Sequence, residues 1–408
     1  MKIILSIIFC VFITMHFPGY SQVEPDLEKL PTVQWRFKTS QPIFSSPVID
    51  GENVYFGGTD STLYALKLTT GAVVWKYKTS GEIRSTLKIL NDNIYLLGGN
   101  GILSCFHKNT GNIVWQRLFD NTATFIGERR YDFADYYHSS PLIHNNVLYF
   151  GAGNGVVSAV KADTGELLWS FKAGDIIHNT PVVVKDKLYI GSFDGHVYSL
   201  NIFNGQLIWK FKSVGHQYFP MGEMQGSPAA AFGTVLIGSR DYNFYALNAN
   251  LGYAKWNKKF EAGWALSASV KDTVVYVGTS DDRILLALDL RNGQELWRRD
   301  VKFNIFGGCA FTNKMVYVGT IWGKLFGLDQ KTGDIRWVFE TDGYRTNKSR
   351  YYKPDDTFRD DIGKILRSPA EFIGAEYKMG GIFSTPAISN KWMIVTTTEG
   401  IVYGLRGN

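Results

Sequence analysis

Short apolar runs recur along this chain at fixed intervals, and they predict a unit of four strands that is repeated many times. In the first complete unit, the run 53–56 is followed by the run 63–66, and turn residues that include Gly58 and Asp60 separate them. Both runs are rich in β-branched and aromatic residues, which is typical of strands bounded by tight turns. Each unit spans about 40 residues, a period that indicates a repeat architecture rather than several separate domains.

Two further markers fix the register of each unit. A step of small residues, often Ser-Pro or Thr-Pro as at Ser46-Pro47, opens the unit, and a glycine followed four residues later by a tryptophan closes it. We expect the glycine to turn the last hairpin with a positive φ. The tryptophan is expected on the outermost strand, packed on the neighbouring unit. The pairs are Gly71/Trp75, Gly111/Trp115, Gly165/Trp169, Gly205/Trp209, Gly252/Trp256, Gly293/Trp297 and Gly333/Trp337.

Counting the small-residue steps gives eight units, of which the last lacks its closing pair. The sequence ends three residues after Leu405, whereas Trp35 stands near the start without a glycine, in a segment 33–39 that matches 73–79 almost residue for residue. We therefore expect the N-terminal strand 33–39 to complete the C-terminal unit. Four antiparallel strands per unit, closed into a ring, predict an all-β, eight-bladed β-propeller of four-stranded blades. Asp and Asn residues before the hairpin glycines are interpreted as turn formers.

The pattern resembles the quinoprotein-type (PQQ-like) propeller family. The resemblance rests on the eight tryptophans, on Thr-Gly pairs such as Thr70-Gly71 and Thr164-Gly165, and on the Tyr-Ala-Leu run at 64–66, and it covers nearly the whole chain. It implies one of two functions. One branch of the family comprises quinone-dependent alcohol and sugar dehydrogenases, and the other comprises non-enzymatic BamB-like outer-membrane assembly propellers, which are closest to this chain in size and organisation.

Residues 1–21 predict a signal peptide ahead of a single propeller domain, 22–408. A basic start at Lys2 precedes an apolar run at 3–15 that is too short to span a bilayer, and Gly19 and Ser21 are small residues at the positions that signal peptidase reads. We expect a periplasmic, outer-membrane-associated or secreted protein without a transmembrane segment after cleavage. The net charge of +6 is mild and dispersed, which argues against a nucleic-acid surface. Cys105 and Cys309 fall in different units and are expected to stay unpaired.

The repeat breaks at three places, and all three predict insertions on the same face of the ring. The distance from a tryptophan to the next small-residue step is usually 12 residues, but it is 26 after Trp115, 19 after Trp209 and 49 after Trp337. These insertions, at about 116–138, 212–226 and 338–383, lie between the outer strand of one blade and the inner strand of the next. Long loops on a rigid scaffold commonly carry function. We call this side the elaborated face and the opposite side the plain face.

Tyrosine and arginine, which are enriched at protein interfaces, are frequent in the insertions. The alternative to a partner surface is an ordered cap with one short helix at 362–366, held by its own ion pairs. The candidate partner-binding residues are Arg129, Arg130, Tyr136, Tyr137, Arg350, Tyr351 and Tyr352.

Register also predicts a ring of side chains at the mouth of the channel on the elaborated face. Among them, Arg84, His138 and His178 lie on consecutive blades and are suited to an anionic ligand. Trp264, beside the ring, is a candidate stacking platform for a saccharide. The alternative is a water-filled mouth with partly solvated polar residues. The ring positions are Phe44, Arg84, His138, His178, Gln225, Ala265, Phe306 and Phe383.

On balance the sequence favours a binding scaffold over an enzyme. The resemblance implies that a quinoprotein dehydrogenase would carry an adjacent cysteine pair and calcium-binding carboxylates, but this sequence has no adjacent cysteines and no recognisable calcium set. No haem-attachment, HExxH or Walker motif is present either. We expect an exported scaffold without cofactor or metal that binds an envelope protein. The alternatives are a dehydrogenase that uses PQQ and Ca²⁺, and a propeller that binds a saccharide or a small anion.

Overall fold

The structure is a computed structural model that describes residues 24–119 and 138–408. Its strands form eight four-stranded antiparallel sheets, which are the blades of a propeller around a central channel. Within each blade the first strand is innermost and the last, which carries the tryptophan, is outermost. The predicted eight-bladed β-propeller is therefore confirmed. The predicted signal peptide, 1–21, lies outside the described residues.

Seven of the eight blades combine an inner strand of two or three residues with three longer strands, whereas the inner strand of blade 6 has seven residues. The strands are, in blade 1, β2 (Val48–Asp50), β3 (Asn53–Gly58), β4 (Thr62–Lys67) and β5 (Val73–Lys78); in blade 2, β6 (Lys88–Leu90), β7 (Asn93–Leu97), β8 (Ile102–His107) and β9 (Ile113–Leu118); in blade 3, β10 (Leu142–His144), β11 (Val147–Gly151), β12 (Val156–Lys161) and β13 (Leu167–Lys172); in blade 4, β14 (Val182–Val184), β15 (Lys187–Gly191), β16 (His196–Asn201) and β17 (Leu207–Lys212). The second half of the ring has, in blade 5, β18 (Ala229–Ala231), β19 (Thr234–Gly238), β20 (Asn243–Asn248) and β21 (Ala254–Lys259); in blade 6, β22 (Ala265–Lys271), β23 (Val274–Thr279), β24 (Ile284–Asp289) and β25 (Glu295–Asp300); in blade 7, β26 (Ala310–Phe311), β27 (Met315–Gly319), β28 (Lys324–Asp329) and β29 (Ile335–Glu340); in blade 8, β30 (Ala387–Ser389), β31 (Trp392–Thr396), β32 (Ile401–Arg406) and β1 (Thr32–Lys38).

The N-terminal strand closes the ring, as the sequence predicts. Strand β1 pairs antiparallel with β32, with Trp35 opposite Gly404 and Phe37 opposite Val402. A Cβ at Gly404 would lie 2.0 Å from the Trp35 ring, so only glycine fits beneath this indole. The outer edge of β32 is therefore paired rather than left open, which removes a template for association with another chain.

Each glycine–tryptophan pair links two different interfaces between blades. The indole of one blade lies on the glycine of the next, as Trp169 lies on Gly205, where an added Cβ would be 2.5 Å from the ring. The same indole donates its Nε1–H to a carbonyl oxygen of the next blade, at 2.7 Å from Trp169 to Ile202. Gly205 also has a φ of +71°, as the hairpin prediction requires. The tryptophans are thus structural clamps.

The indole of Trp337 in blade 7 has no glycine of the next blade to lie on, because the outer strand of blade 8 comes from the N-terminus and lacks the motif glycine. The segment before β1 takes over the role. Trp337 donates its Nε1–H to the Leu27 carbonyl at 2.6 Å, and the Leu27 backbone N–H donates to the Tyr317 hydroxyl at 2.9 Å. The Leu27 side chain is buried in the core between blades 7 and 8. Residues ahead of the closing strand therefore complete the last clamp.

The Asp and Asn residues before hairpin glycines act within their own turns. Asp194 accepts hydrogen bonds from the His196 backbone N–H at 2.8 Å and from the Tyr198 hydroxyl at 2.5 Å. Asn100 and Asn154 accept the equivalent backbone bonds from the Ile102 and Val156 N–H groups, at 3.3 and 3.0 Å. Their interpretation as turn formers is confirmed.

The two cysteines within the described residues are buried thiols that form no disulfide. Burial raises the pKa of Cys105 to about 11 and that of Cys309 to about 12. Both therefore stay protonated and unreactive near neutral pH.

The third insertion folds into three helices, whereas the sequence indicated only one short helix. They are α1 (Asp342–Tyr351), α2 (Ile362–Ile365) and α3 (Pro369–Lys378). Thr341 caps α1 by accepting the Tyr344 N–H at 3.1 Å, and Ser368 caps α3 by accepting the Glu371 N–H at 3.3 Å. We call this helical insertion, residues 341–383, the cap.

Candidate functional site

A central channel with a volume of about 440 Å³ runs between the inner strands. Seven of the eight predicted ring positions line it, and the exception is Ala265. Trp264 lies elsewhere, against the cap. Register from the small-residue step therefore located the channel lining correctly. The lining ring residues are Phe44, Arg84, His138, His178, Gln225, Phe306 and Phe383.

Hydroxyl side chains from the small-residue steps surround the middle of the channel and join the blades. In each link a backbone N–H of one blade donates to a Ser or Thr Oγ of a neighbouring blade, over 2.8–3.1 Å. The link between blades 6 and 7 runs in the opposite direction, from the Cys309 N–H to Ser269, because Gly308 stands where the other blades have a hydroxyl. We call this set the hydroxyl ring. Its members are Ser46, Thr86, Ser140, Thr180, Ser227, Ser267, Ser269 and Thr385.

Aromatic rings pack together at the mouth of the channel on the elaborated face. The Phe383 ring packs edge-on against Phe44 at 5.2 Å and against Phe306 at 5.8 Å between ring centroids. Tyr377 of α3 covers Phe44 from above, at 5.7 Å. All three phenylalanines are buried. We call Phe44, Phe306 and Phe383, which come from the inner side of blades 1, 7 and 8, the phenylalanine plug.

The predicted histidine–arginine cluster does come together beneath this plug. His138 and His178 lie 5.6 Å apart between ring centroids, and both are buried. Arg84 donates to Glu82 at 3.0 Å and lies 4.6 Å above the Phe44 ring. Burial, together with the nearby His178 and Arg84, holds the pKa of His138 well below its usual range. This imidazole is therefore neutral at physiological pH.

Arg240 is a buried member of the same region that the sequence analysis missed. Its Nε donates to the Gln225 amide oxygen at 3.2 Å, and its guanidinium lies 5.4 Å from the Trp264 ring and 5.5 Å from the Phe193 ring. It follows Ser239 at a hairpin between the second and third strands of blade 5, a position that inner-strand register does not sample. No sequence signal distinguished it from a solvent-exposed turn arginine.

Trp264 stacks on Tyr242 at 6.4 Å and meets Phe219 of the second insertion edge-on at 5.3 Å. It lines a second cavity, of about 450 Å³, between blades 6 and 7 and the cap. The lining is largely apolar and includes Ile321 and Phe372. Trp264 is mostly buried, so it supports the insertions instead of forming an open platform.

The cap is tied to the propeller by ion pairs and by its own aromatic core. Lys324 of β28 contacts Asp356 at 2.5 Å, and Lys348 of α1 contacts the same carboxylate at 2.6 Å. These cations hold the pKa of Asp356 below its usual value against the effect of burial. Arg36 of β1 binds Asp342 at the start of α1 at 2.7 Å. The cap is therefore anchored to blade 7 and to the closing strand of blade 8.

Two predicted contact residues belong to that core. Tyr351 and Tyr352 are only 3% and 4% exposed, and they pack around Trp322. Their burial argues against direct contact with a partner, because a partner would reach them only if the cap opened. Arg350 remains exposed. Arg129, Arg130, Tyr136 and Tyr137 lie outside the described residues.

The second insertion instead presents apolar side chains to solvent. Val214 is 79% exposed, Tyr218 71% and Met221 46%. The insertion is held against blade 5, because the His216 ring stacks on the Tyr242 ring at 4.2 Å between ring centroids. We call Val214, Tyr218 and Met221 the exposed apolar patch. The sequence predicts an insertion here but gives no signal for these three residues.

The described residues do not fit a calcium-bound quinone in the channel. Ca²⁺ takes roughly 6–8 oxygen ligands, with carboxylates prominent among them. No Asp or Glu of the described residues lines the channel. Across residues 24–119 and 138–408 there is also no group of three or more His, Cys, Asp or Glu side chains placed to hold a metal ion.

Comparison with known proteins decides the family. The family model described as "Outer membrane protein assembly factor BamB" matches residues 31–130 and 100–338. This chain belongs to the BamB family. Among curated relatives, BamB of Kangiella koreensis is 26% identical over 194 residues, which cover 43% of this chain and 49% of that protein. Quinohemoprotein alcohol dehydrogenase ADH IIB of Pseudomonas putida is 34% identical over 124 residues, covering 28% of this chain and 17% of that protein. This chain thus matches less than half the length of either relative.

Solved structures agree on the fold of this BamB-family chain. BamB of Moraxella catarrhalis superposes with a TM-score of 0.67 at 13% identity, covering 92% of this chain and all of that one. Quinohemoprotein alcohol dehydrogenase ADHIIG of Pseudomonas putida also gives a TM-score of 0.67, at 12% identity, covering 95% of this chain and 77% of that one. Both branches therefore share the propeller. Within the described residues of this BamB-family chain, no helix is long and apolar enough to cross a bilayer.

Proposed function

We propose that this chain is a non-enzymatic scaffold of the cell envelope that binds a protein partner through its elaborated face and assists assembly of outer-membrane proteins. Family membership supports the setting, because the matching family model carries that description. The exposed apolar patch is the observation that supports the binding surface. Tyrosine and methionine are enriched at protein interfaces, and an apolar loop on a rigid base binds without a large ordering cost.

The patch has neighbours suited to the rim of an interface. Gln217 is exposed beside Tyr218, and Arg350 is exposed at the end of α1 on the same face. A protein interface commonly combines an apolar centre with a polar, solvent-accessible rim. We take the second insertion as the centre of the contact and the outer surface of the cap as its margin.

The experiment captures partners from envelope extracts with the purified protein and identifies them by mass spectrometry. The variant Val214→Ser/Tyr218→Ser/Met221→Ser is expected to lose a partner that belongs to outer-membrane protein assembly. The control, Val74→Ser/Leu168→Ser/Ile208→Ser, removes apolar side chains that are 38–44% exposed from the outermost strands β5, β13 and β17. It should retain the partner. Equal capture by both variants would remove the patch from the proposal.

A quinone-dependent dehydrogenase is the second candidate, and the 34% identity to ADH IIB over 124 residues favours it. The absence of channel carboxylates among the described residues weighs against a calcium-dependent quinone site. Titration with pyrroloquinoline quinone and Ca²⁺, followed by a dye-linked assay on primary alcohols, separates the two. Stoichiometric quinone binding with alcohol oxidation would replace the scaffold by the enzyme.

A further inference from the structure

Lys88 is a charged residue at a position where the other blades carry uncharged ones. It follows the small-residue step of blade 2 and lines the channel. The residues at the same register include Val48, Val182 and Ala387, and none of the other seven is charged. Burial lowers the pKa of Lys88 below its ordinary value, and no neighbouring carboxylate opposes that effect. Lys88 thus lines the channel without an ionic partner among the described residues.

The hydroxyl ring adds hydrogen-bond donors at the same level. Each of its hydroxyl oxygens accepts a backbone N–H from a neighbouring blade. Within the described part of the chain, none of these hydroxyls donates to a protein acceptor. A hydroxyl group has one hydrogen to donate, so each ring member keeps that hydrogen available for a group in the channel.

The charge of the lining is of one sign. Among the described residues that line the channel, Arg84 and Lys88 are cationic and none is acidic. Arg84 already binds Glu82 at 3.0 Å, so Lys88 is the cation on which an anion would depend. An ammonium and several hydroxyl donors that converge on one cavity favour a group rich in acceptor oxygens, and hydrogen bonds to an ionised acceptor are the stronger ones. A cation or an apolar molecule would leave these donors unmatched.

Access is available from the plain face. Lys88 and Val48 also line an adjoining cavity of about 530 Å³, which includes Asp50 and Lys108 at the plain side of blades 1 and 2. Asp50 is neutralised there by Lys108 at 2.8 Å. The phenylalanine plug lies at the other end of the channel. An anion can therefore reach Lys88 without passing the cap.

We propose that the channel is a binding site for a compact oxyanion, a phosphate or carboxylate group, held by the Lys88 ammonium and by hydroxyl ring members that include Thr86 and Ser46. The site is separate from the exposed apolar patch and does not depend on the proposed partner. At about 440 Å³, the cavity accommodates a small phosphorylated or carboxylated molecule as well as the inorganic ion.

The experiment measures the thermal unfolding midpoint and the calorimetric binding of inorganic phosphate and of citrate, against sodium chloride at matched ionic strength. An anion that binds the folded protein raises its free energy of unfolding in proportion to the logarithm of the anion concentration. Phosphate alone would identify a phosphate site, and citrate alone would identify a carboxylate site. A response to both would identify a general oxyanion site. Equal midpoints in phosphate, citrate and chloride would overturn the proposal.

Lys88→Met tests the residue. It removes the charge, keeps an apolar chain of similar length, and is expected to fold because it replaces an ammonium that lacks an ionic partner. Binding should weaken at least about tenfold, the expected effect of losing one strong charge-assisted contact. Lys76→Met, on the exposed outer strand β5, is the control and should bind like the wild type. If Lys88→Met binds as tightly as Lys76→Met, Lys88 does not hold the anion and the proposal is wrong.

Discussion

Thr385 in blade 8 donates its backbone N–H to the Oγ of Ser46 in blade 1 at 3.0 Å, and this bond joins the two ends of the hydroxyl ring. The residues are 339 positions apart in sequence, yet the bond has the same form as that between Ser46 and Thr86 in adjacent blades. The propeller ring is thus closed by contacts at the channel as well as at the outer strand, where β1 pairs with β32.

Removing one hydroxyl from this ring should destabilise the protein. Ser46→Ala leaves the Thr385 N–H without its acceptor, and an unsatisfied buried donor costs about 1–3 kcal/mol. We expect a loss of that size in the free energy of unfolding, measured by urea denaturation. Ser389→Ala, in strand β30 of blade 8, removes a hydroxyl that makes no hydrogen bond to the described residues and should change the value little. Equal losses in both variants would contradict a special role for the ring.

The contact between glycine and indole can be separated from the strain of a positive φ. Gly205 and Gly233 both have a φ of +71°, but a Cβ would lie 2.5 Å from the Trp169 ring at Gly205 and would meet nothing within 4 Å at Gly233. Alanine at Gly233 should cost about 1 kcal/mol, the lower end of the range for backbone strain. Alanine at Gly205 should cost at least about 2 kcal/mol more, because the indole must move. The measurement is the thermal midpoint with its calorimetric enthalpy. Similar losses of stability for the two alanine variants would show that the contact between Gly205 and the Trp169 ring is not tight.

The segment before the closing strand should stabilise the ring through Leu27. Its side chain is 2% exposed, whereas that of Leu30 is 47% exposed. Leu27→Ala is expected to lower the free energy of unfolding by about 2–5 kcal/mol, the usual cost of truncating a buried leucine. Leu30→Ala is the matched control and should cost less than about 1 kcal/mol. A mild effect at both positions would mean that the backbone bond to Trp337 holds the segment alone.

Acid should destabilise the fold through His138. The pKa of this imidazole lies well below its usual range in the folded protein, whereas an unfolded histidine titrates near about 6.5. Below that pH the unfolded chain binds a proton that the folded chain does not, so the free energy of unfolding falls as the pH falls. His138→Gln should flatten the loss of stability between pH 7 and pH 5, as followed by urea denaturation at each pH.

In this last comparison, the stability of His138→Gln at pH 7 measures the structural cost of the substitution, and the slope measures the titration. An unchanged slope would show that another group causes the acid sensitivity.

Sequence periodicity was enough to predict the blades, the closing strand and most of the channel lining, because each depends on a repeated spacing. It could not show which insertion residues are buried. Tyr351 and Tyr352 resemble interface residues until the contact with Trp322 is known, and that contact joins separate elements. The helix α3 did leave a signal, since Ser368, Pro369 and Glu371 form a capping sequence. The sequence also shows that Lys88 is the charged exception among the residues that directly follow the eight small-residue steps.

The Gly-x-x-x-Trp motif places its two ends in different interfaces: the glycine faces the preceding blade and the tryptophan faces the following one. Damage to one motif therefore loosens two neighbours at once. In an open solenoid such damage would let the array fray from its nearest terminus, since stability there is a sum over adjacent pairs. A closed circle has no terminus from which to fray. Unfolding that starts in one blade should thus spread to the neighbouring blades on both sides until the whole ring has unfolded. The protein is therefore expected to melt as a single cooperative unit.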